Sequence, residues 1–140
     1  MLVDRLVFRP FPGWRIVAAP AAIDQFVARV RSAPRGQSAL FGRIAPDDLF
    51  ISGVARVEPA EIDDGHAIVA PESGLSVCWM THREFHGKIA PFVEWPIPTR
   101  LPAFAQGHIA YVPAKVWLEH DHVVLATNAA FVADLEDRLR

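Results

Sequence analysis

Short runs of Val, Ile, Leu and Phe, each cut off by Pro, Gly, Asp or Ser, recur along most of this chain and leave few places for a helix. A run of that length fills one strand but does not complete the turns a stable helix needs, so the pattern predicts a mainly antiparallel sheet. The runs fall at 39–44, 49–57, 66–70 and 75–80, then at 108–112, 115–119 and 122–127. Their close succession predicts a meander of hairpins, with Ser73-Gly74 turning 66–70 back onto 75–80. A tight turn at 119–121 sets Leu118 opposite Val123 and Val116 opposite Leu125. Those four then share one core face, with Trp117 and Val124 on the other.

The two ends carry the helical signals. Leu2 to Arg9 alternates like a half-buried strand, and Pro12-Gly13 supplies the dihedrals of a type II turn, so Trp14 to Ala18 is expected to return as its hairpin partner. Pro20 suits a first helical turn. Ile23, Phe26, Val27 and Val30 then recur at i, i+3, i+4 and i+7, which predicts a helix over 20–32. Thr81 and Glu84 form a capping-box pattern that predicts a short helical turn at 82–86, closed by Gly87. Phe131, Leu135 and Leu139 repeat every four residues, predicting a C-terminal helix at about 128–139 with acid-to-base pairs Asp134–Arg138 and Glu136–Arg140. The fold class expected is therefore α+β, in one domain over 1–140.

Composition supports a real core and narrows the function classes. With 140 residues, 51% hydrophobic and 21% charged, the chain is long enough to bury roughly two-thirds of its unfolded surface. A net charge of −2, with Arg scattered singly, provides no basic field for nucleic acid. The acidic group Asp47, Asp48, Glu58, Glu61, Asp63 and Asp64 reads as a solvated loop face. A lone Cys78 excludes an internal disulfide and points to a reducing compartment, the cytoplasm by default. The charge-free stretch from Leu101 to Ala114 is interrupted by Pro102, Gly107, His108 and Pro113, so no membrane span is expected, and Asp4, Arg5 and Arg9 argue against a signal peptide. Twelve Arg against two Lys suggests the coding bias of a GC-rich bacterium or its phage.

Three groups of residues invite chemistry. His82 and His86 lie four apart on the expected helical turn, while His120 and His122 flank the 119–121 tip beside Glu119 and Asp121. Imidazoles and carboxylates at such spacings suit a divalent metal, although Arg83 would oppose a cation there. Cys78 with a histidine could form a thiol nucleophile, but within Leu75 to Met80 it reads more simply as a small core residue. Pro91 to Pro102 holds four prolines around Trp95, and Trp95, Pro96, Pro98 and Arg100 form a rigid, low-entropy segment of the kind that anchors protein interfaces. The plainer alternative is that Trp95 closes the core beneath that loop.

No phosphate loop, dinucleotide fingerprint, nucleophile elbow or paired C-x-x-C occurs. We therefore read the chain as a non-catalytic bacterial or phage protein that binds another protein, such as an immunity or inhibitor protein or a small assembly subunit, and needs no cofactor. The alternatives are a histidine- or metal-assisted hydrolase or lyase built on His82, His86, His120 and His122, and a small-ligand-binding domain with a pocket between sheet and helix.

Overall fold

Pro12 and Gly13 do not turn one strand back upon its neighbour; they carry the chain out of one sheet and into another. The computed structural model describes residues 6–140 and divides into two units, one formed by the residues up to Phe11 with Gly74–Arg140, the other by Pro12–Ser73. Before the crossing, Arg9–Pro10 (β1) makes a brief antiparallel pairing to a strand far along the chain, Arg9 opposite Val77 and Pro10 opposite Ser76. The expected N-terminal hairpin is therefore not formed, and the part of its first strand at 1–5 lies outside the described residues.

In the Pro12–Ser73 unit, Gly13–Val17 (β2), the helix Pro20–Ser32 (α1), Leu40–Ala45 (β3), Asp48–Ser52 (β4) and Ile68–Glu72 (β5) follow in order. The strands form a four-stranded antiparallel sheet in the order β3-β4-β2-β5. Central β2 places Trp14 and Ile16 on the face that α1 covers. There Ile16, Leu49 and Ile51 meet Ala22, Ile23, Phe26 and Val30, and Trp14 and Val27 pack at the margin. Each large side chain buried this way contributes about 1.5–3 kcal/mol before entropy is set against it. The helix has the bounds the periodicity predicts. No side chain caps its first turn from Ala19; instead the Ala19 N–H donates to Asp64 Oδ2 at 2.8 Å.

Strand β4 stops at Ser52, short of the expected 49–57, because Gly53 takes φ +81 and redirects the backbone against the Ser38 carbonyl, where a Cβ would not fit. On the sheet face away from α1, Arg15 spans three strands, pairing with Asp48 on β4 and with Glu72 on β5. The hydrogen bonds Arg15 donates to Asp48, together with the charges of Asp48 and Glu72, raise the Arg15 pKa above its ordinary value.

The second unit contains β1, Leu75–Met80 (β6), the helical turn His82–Glu84 (α2), Ala103–Ile109 (β7), Val112–Leu118 (β8), Val123–Asn128 (β9) and the helix Val132–Arg138 (α3). Its sheet is five-stranded and antiparallel, ordered β1-β6-β9-β8-β7. The β8–β9 register is the one expected, with Leu118 opposite Val123 and Val116 opposite Leu125. Those four, with Cys78, Met80, Ala114 and Ile109, make the core face on which Phe85, Ile89 and Leu135 pack.

Three expected features differ here, the first being the expected strand 108–112, which a turn divides so that β7 ends at Ile109 and β8 begins at Val112. Strands β5 and β6 are not hairpin partners: β5 pairs with β2, β6 pairs with β1 and β9, and Ser73-Gly74 is the passage between the units. The apolar run at 66–70 could not reveal this, since its strand is shifted to Ile68–Glu72 and keeps Pro71 on a sheet edge, where no ladder donor is lost. After α2, the chain continues through a π turn, Phe85–Ile89, and a 3-10 turn, Ala90–Phe92, rather than closing at Gly87, whose φ is not left-handed. Phe85 and Ile89, four residues apart on one face of this turn, are both fully buried in the same core.

The C-terminal segment opens with a 3-10 turn, Ala129–Phe131, capped by Asn128 Oδ1 accepting from Ala130 N at 2.9 Å. Phe131 thus precedes the helix and stays 41% exposed, while Leu135 is buried. The Asp134–Arg138 pair forms at 3.0 Å, whereas Arg140 turns to Asp137. No helix among the described residues is long and apolar enough to cross a membrane.

Candidate functional site

The end of the β8–β9 hairpin gathers three of the four candidate histidines by different means. The Glu119 N–H donates to the His122 carbonyl at 2.9 Å and closes the turn, with His120 and Asp121 at its exposed tip. His82, at the start of α2, reaches this turn from the other side: its ring Nε2 lies 2.6 Å from the Glu119 carbonyl. A carbonyl only accepts, so Nε2 carries the proton, and the one lone pair of neutral His82 is on Nδ1. The His86 ring lies 6.4 Å from that of His82, at 22°, and meets the Phe85 ring edge-on at 5.4 Å. The capping box that positions α2 is present in full, Thr81 Oγ1 accepting from Glu84 N and Glu84 Oε1 accepting from Thr81 N.

His122 points to the opposite face of the sheet, because it precedes Val123 and strand side chains alternate. Its ring stacks on Trp79, centroids 5.0 Å apart at 27°, and its Nδ1–H donates to Asp121 Oδ1 at 2.6 Å. That hydrogen bond, with one from the backbone at Asp121, holds the Asp121 carboxyl below its ordinary range. The lone pair of neutral His122 is then on Nε2, a buried nitrogen with no hydrogen-bond partner among the described residues. Trp79 is 53% exposed, so the stacked pair forms an aromatic surface at this end of the sheet. Chemically the arrangement offers two tautomer-fixed imidazoles on opposite sides of one hairpin. Among the described residues, no three His, Cys, Asp or Glu side chains come together as a ligand set for one ion.

Cys78 is buried in the core beneath this end, and burial raises its thiol pKa above the ordinary value. A thiol held protonated is a poor nucleophile, so the core reading of Cys78 prevails over the catalytic one.

The proline segment takes up a place along β7. Val93 bridges to Ile109, the Glu94 N–H donates to the His108 carbonyl at 3.3 Å and the Ala110 N–H donates to the Phe92 carbonyl at 2.9 Å. Trp95 lies over Gly107, where an added Cβ would overlap its Cδ1 and Nε1, and its ring packs against the core. Pro96 and Arg100 are exposed and Pro98 is half-buried, ahead of a cis Leu101–Pro102 bond.

The acidic group belongs to the other unit; Asp47 and Asp63 are exposed, whereas Glu61 and Asp64 are structurally engaged. Glu61 takes a hydrogen bond from Arg35, while the Glu61 carbonyl accepts from Arg29. Burial acts to raise the Glu61 pKa, but the Arg35 and Glu58 hydrogen bonds outweigh it and leave the carboxyl lowered. Asp64 accepts from the backbones of Ala19 and His66, which lower its pKa also. A shallow depression lies on α1 and its exit, lined by Gln25, Ala28, Arg29, Ser32 and Ala33.

What the sequence did not reveal is the Ala110–Tyr111 turn between β7 and β8. Both residues have positive φ, 50 and 68, at positions where Asn-Gly is the familiar pair, and Tyr111 is 77% exposed. Nothing in Ala-Tyr announces a turn. The Trp79–His122 stack was equally hidden, since it depends on the β6–β9 pairing that sets Trp79 opposite Val124.

No family model matches the chain, and no curated protein matches it. Among solved structures, it is similar to a chain of the heterotetrameric sarcosine oxidase from Corynebacterium sp. U-96, in complex with pyrrole 2-carboxylate. The likeness has a TM-score of 0.69 at 13% identity, covering 99% of this chain and 84% of that one. A slighter likeness, TM-score 0.46 at 9% identity, is to a candidate C-terminal regulatory domain of aspartate kinase from Porphyromonas gingivalis W83, covering 98% and 94%. At such identities the first likeness establishes a shared fold, antiparallel α+β, and the second carries no weight.

Proposed function

We propose that this chain is a non-catalytic binding subunit that works through a protein surface within a larger assembly. The observation that carries the reading is the likeness over 99% of the chain to a component of a heterotetramer. It favours the assembly-subunit form of the binding reading over the immunity or inhibitor form. Large apolar side chains left in solvent, Trp79, Ile68 and Tyr111, are consistent with surfaces that another chain covers. A reducing, cytoplasmic setting fits the lone buried thiol.

Isolation of the untagged chain from its source cells under native conditions, followed by native mass spectrometry, tests this. The expected result is a stoichiometric complex containing at least one different chain. A species no heavier than one copy, at cellular concentration, overturns the proposal.

A further inference from the structure

Tyr111 stands at the tip of a turn whose backbone is unfavourable for the residues it holds. Left-handed φ at two successive positions is relaxed for Asn-Gly but crowded for Ala and Tyr, because each Cβ approaches the following carbonyl. The conformation is fixed from outside the turn. Glu94 Oε2 accepts from the Tyr111 N–H at 3.0 Å, the Phe92 carbonyl accepts from Ala110 N at 2.9 Å, and the Val93–Ile109 bridge ties the same segment to β7. The proline-rich stretch thus acts as a brace that holds a strained turn open to solvent. Strained backbone of this kind clusters at sites that bind or switch, which directs attention to what this turn presents.

What the brace presents is an aromatic ring, 77% exposed, with the Glu94 carboxylate at its base and exposed His108 and Pro113 across the strand pair behind it. A rigid tyrosine loses little entropy on docking, and tyrosine is enriched among residues that dominate interface energies. The carboxylate sets the chemistry of the rim. We propose that the Tyr111 turn is the anchor by which this chain docks a different protein chain, one offering an apolar cleft rimmed by Arg or Lys that faces Glu94. The inference rests on the assembly-subunit reading and adds to it the surface and the kind of partner.

The test places a photo-crosslinking benzoylphenylalanine at position 111 of the full-length chain in its source cells, with the same group at Asp137 on α3 as control. The expected result is one adduct, absent from the control, whose crosslinked peptide is apolar and flanked by Arg or Lys. The partner so identified, once purified, binds the wild-type chain. Tyr111→Ala weakens that binding by roughly tenfold or more, and Tyr111→Phe by about threefold at most. A doubly substituted turn, Ala110→Asn with Tyr111→Gly, melts at a higher temperature than wild type yet loses the partner to the same extent, which separates lost contact from lost fold.

An adduct with a second copy, an acidic crosslinked peptide, no adduct, or unchanged binding by Tyr111→Ala overturns the inference. If the native complex forms but crosslinks only from elsewhere, the chain is an assembly subunit that docks by another face. If no complex forms, both readings fall.

Discussion

At the scale of single residues, Gly107 and Cys78 show how the core limits substitution. A methyl at Gly107 overlaps the indole of Trp95, and the ring has the core behind it. Gly107→Ala is expected to destabilise the protein by about 1–3 kcal/mol, the usual cost of overpacking, read as a lower urea midpoint with unchanged slope. Combining it with Trp95→Phe should cost less than the sum of the two single changes, because the smaller ring vacates the space; strict additivity would refute the contact. Cys78 is buried and its thiol is held protonated. Its reaction with a disulfide reagent at mild alkaline pH should therefore be on the order of a hundredfold or more slower in native protein than in denaturant, gated by opening. Prompt stoichiometric labelling would show that the core around β6 is open.

At the scale of elements, the capping box at Thr81 starts the α2, π and 3-10 succession that buries Phe85 and Ile89. Thr81→Ala removes the acceptor for the Glu84 N–H and should cost about 1 kcal/mol, whereas Thr81→Ser should cost much less. Equal losses in thermal melts would mean that the threonine methyl, not the hydroxyl, matters. This element also shows what a sequence can and cannot disclose. The capping box, α1 and the β8–β9 register are local or nearly so, each specified by side chains within a few turns or one hairpin, and they were legible. The pairing of β1 with β6, and of β2 with β5, brings together residues more than fifty positions apart, and no local pattern encodes such partners. The candidate site followed the same rule. The i,i+4 spacing of His82 and His86 and the place of His120 and His122 at the hairpin tip were legible, but the approach of His82 to the Glu119 carbonyl, the Trp79–His122 stack and the strained Tyr111 turn all depend on tertiary pairing.

At the scale of the whole molecule, each unit contains a carboxylate whose ionised form the fold favours, Asp64 in one and Asp121 in the other. Hydrogen bonds to Ala19 and His66 lower the first, and the bond from His122 lowers the second. A carboxylate depressed on folding contributes stability at pH values above its unfolded pKa of about 3.9, and that contribution fades as pH falls through the lower folded value. Cys78 acts with the opposite sign: its folded pKa is raised, so its contribution is complete below the unfolded thiol value of about 8.5 and is lost as pH rises beyond it. Together they predict a stability plateau through neutral pH, with an acid limb beginning near pH 4 and an alkaline limb beginning near pH 8.5. Urea midpoints measured across pH should trace that dome. The acid limb should become shallower in a protein with both Asp64→Asn and Asp121→Asn, and shallower by less in either single variant, since the two sites lie in different units and share no partner. An acid limb unchanged by the double substitution would assign acid sensitivity to other carboxylates, Glu61 first among them, because Arg35 also holds that carboxyl below its ordinary value against the effect of burial.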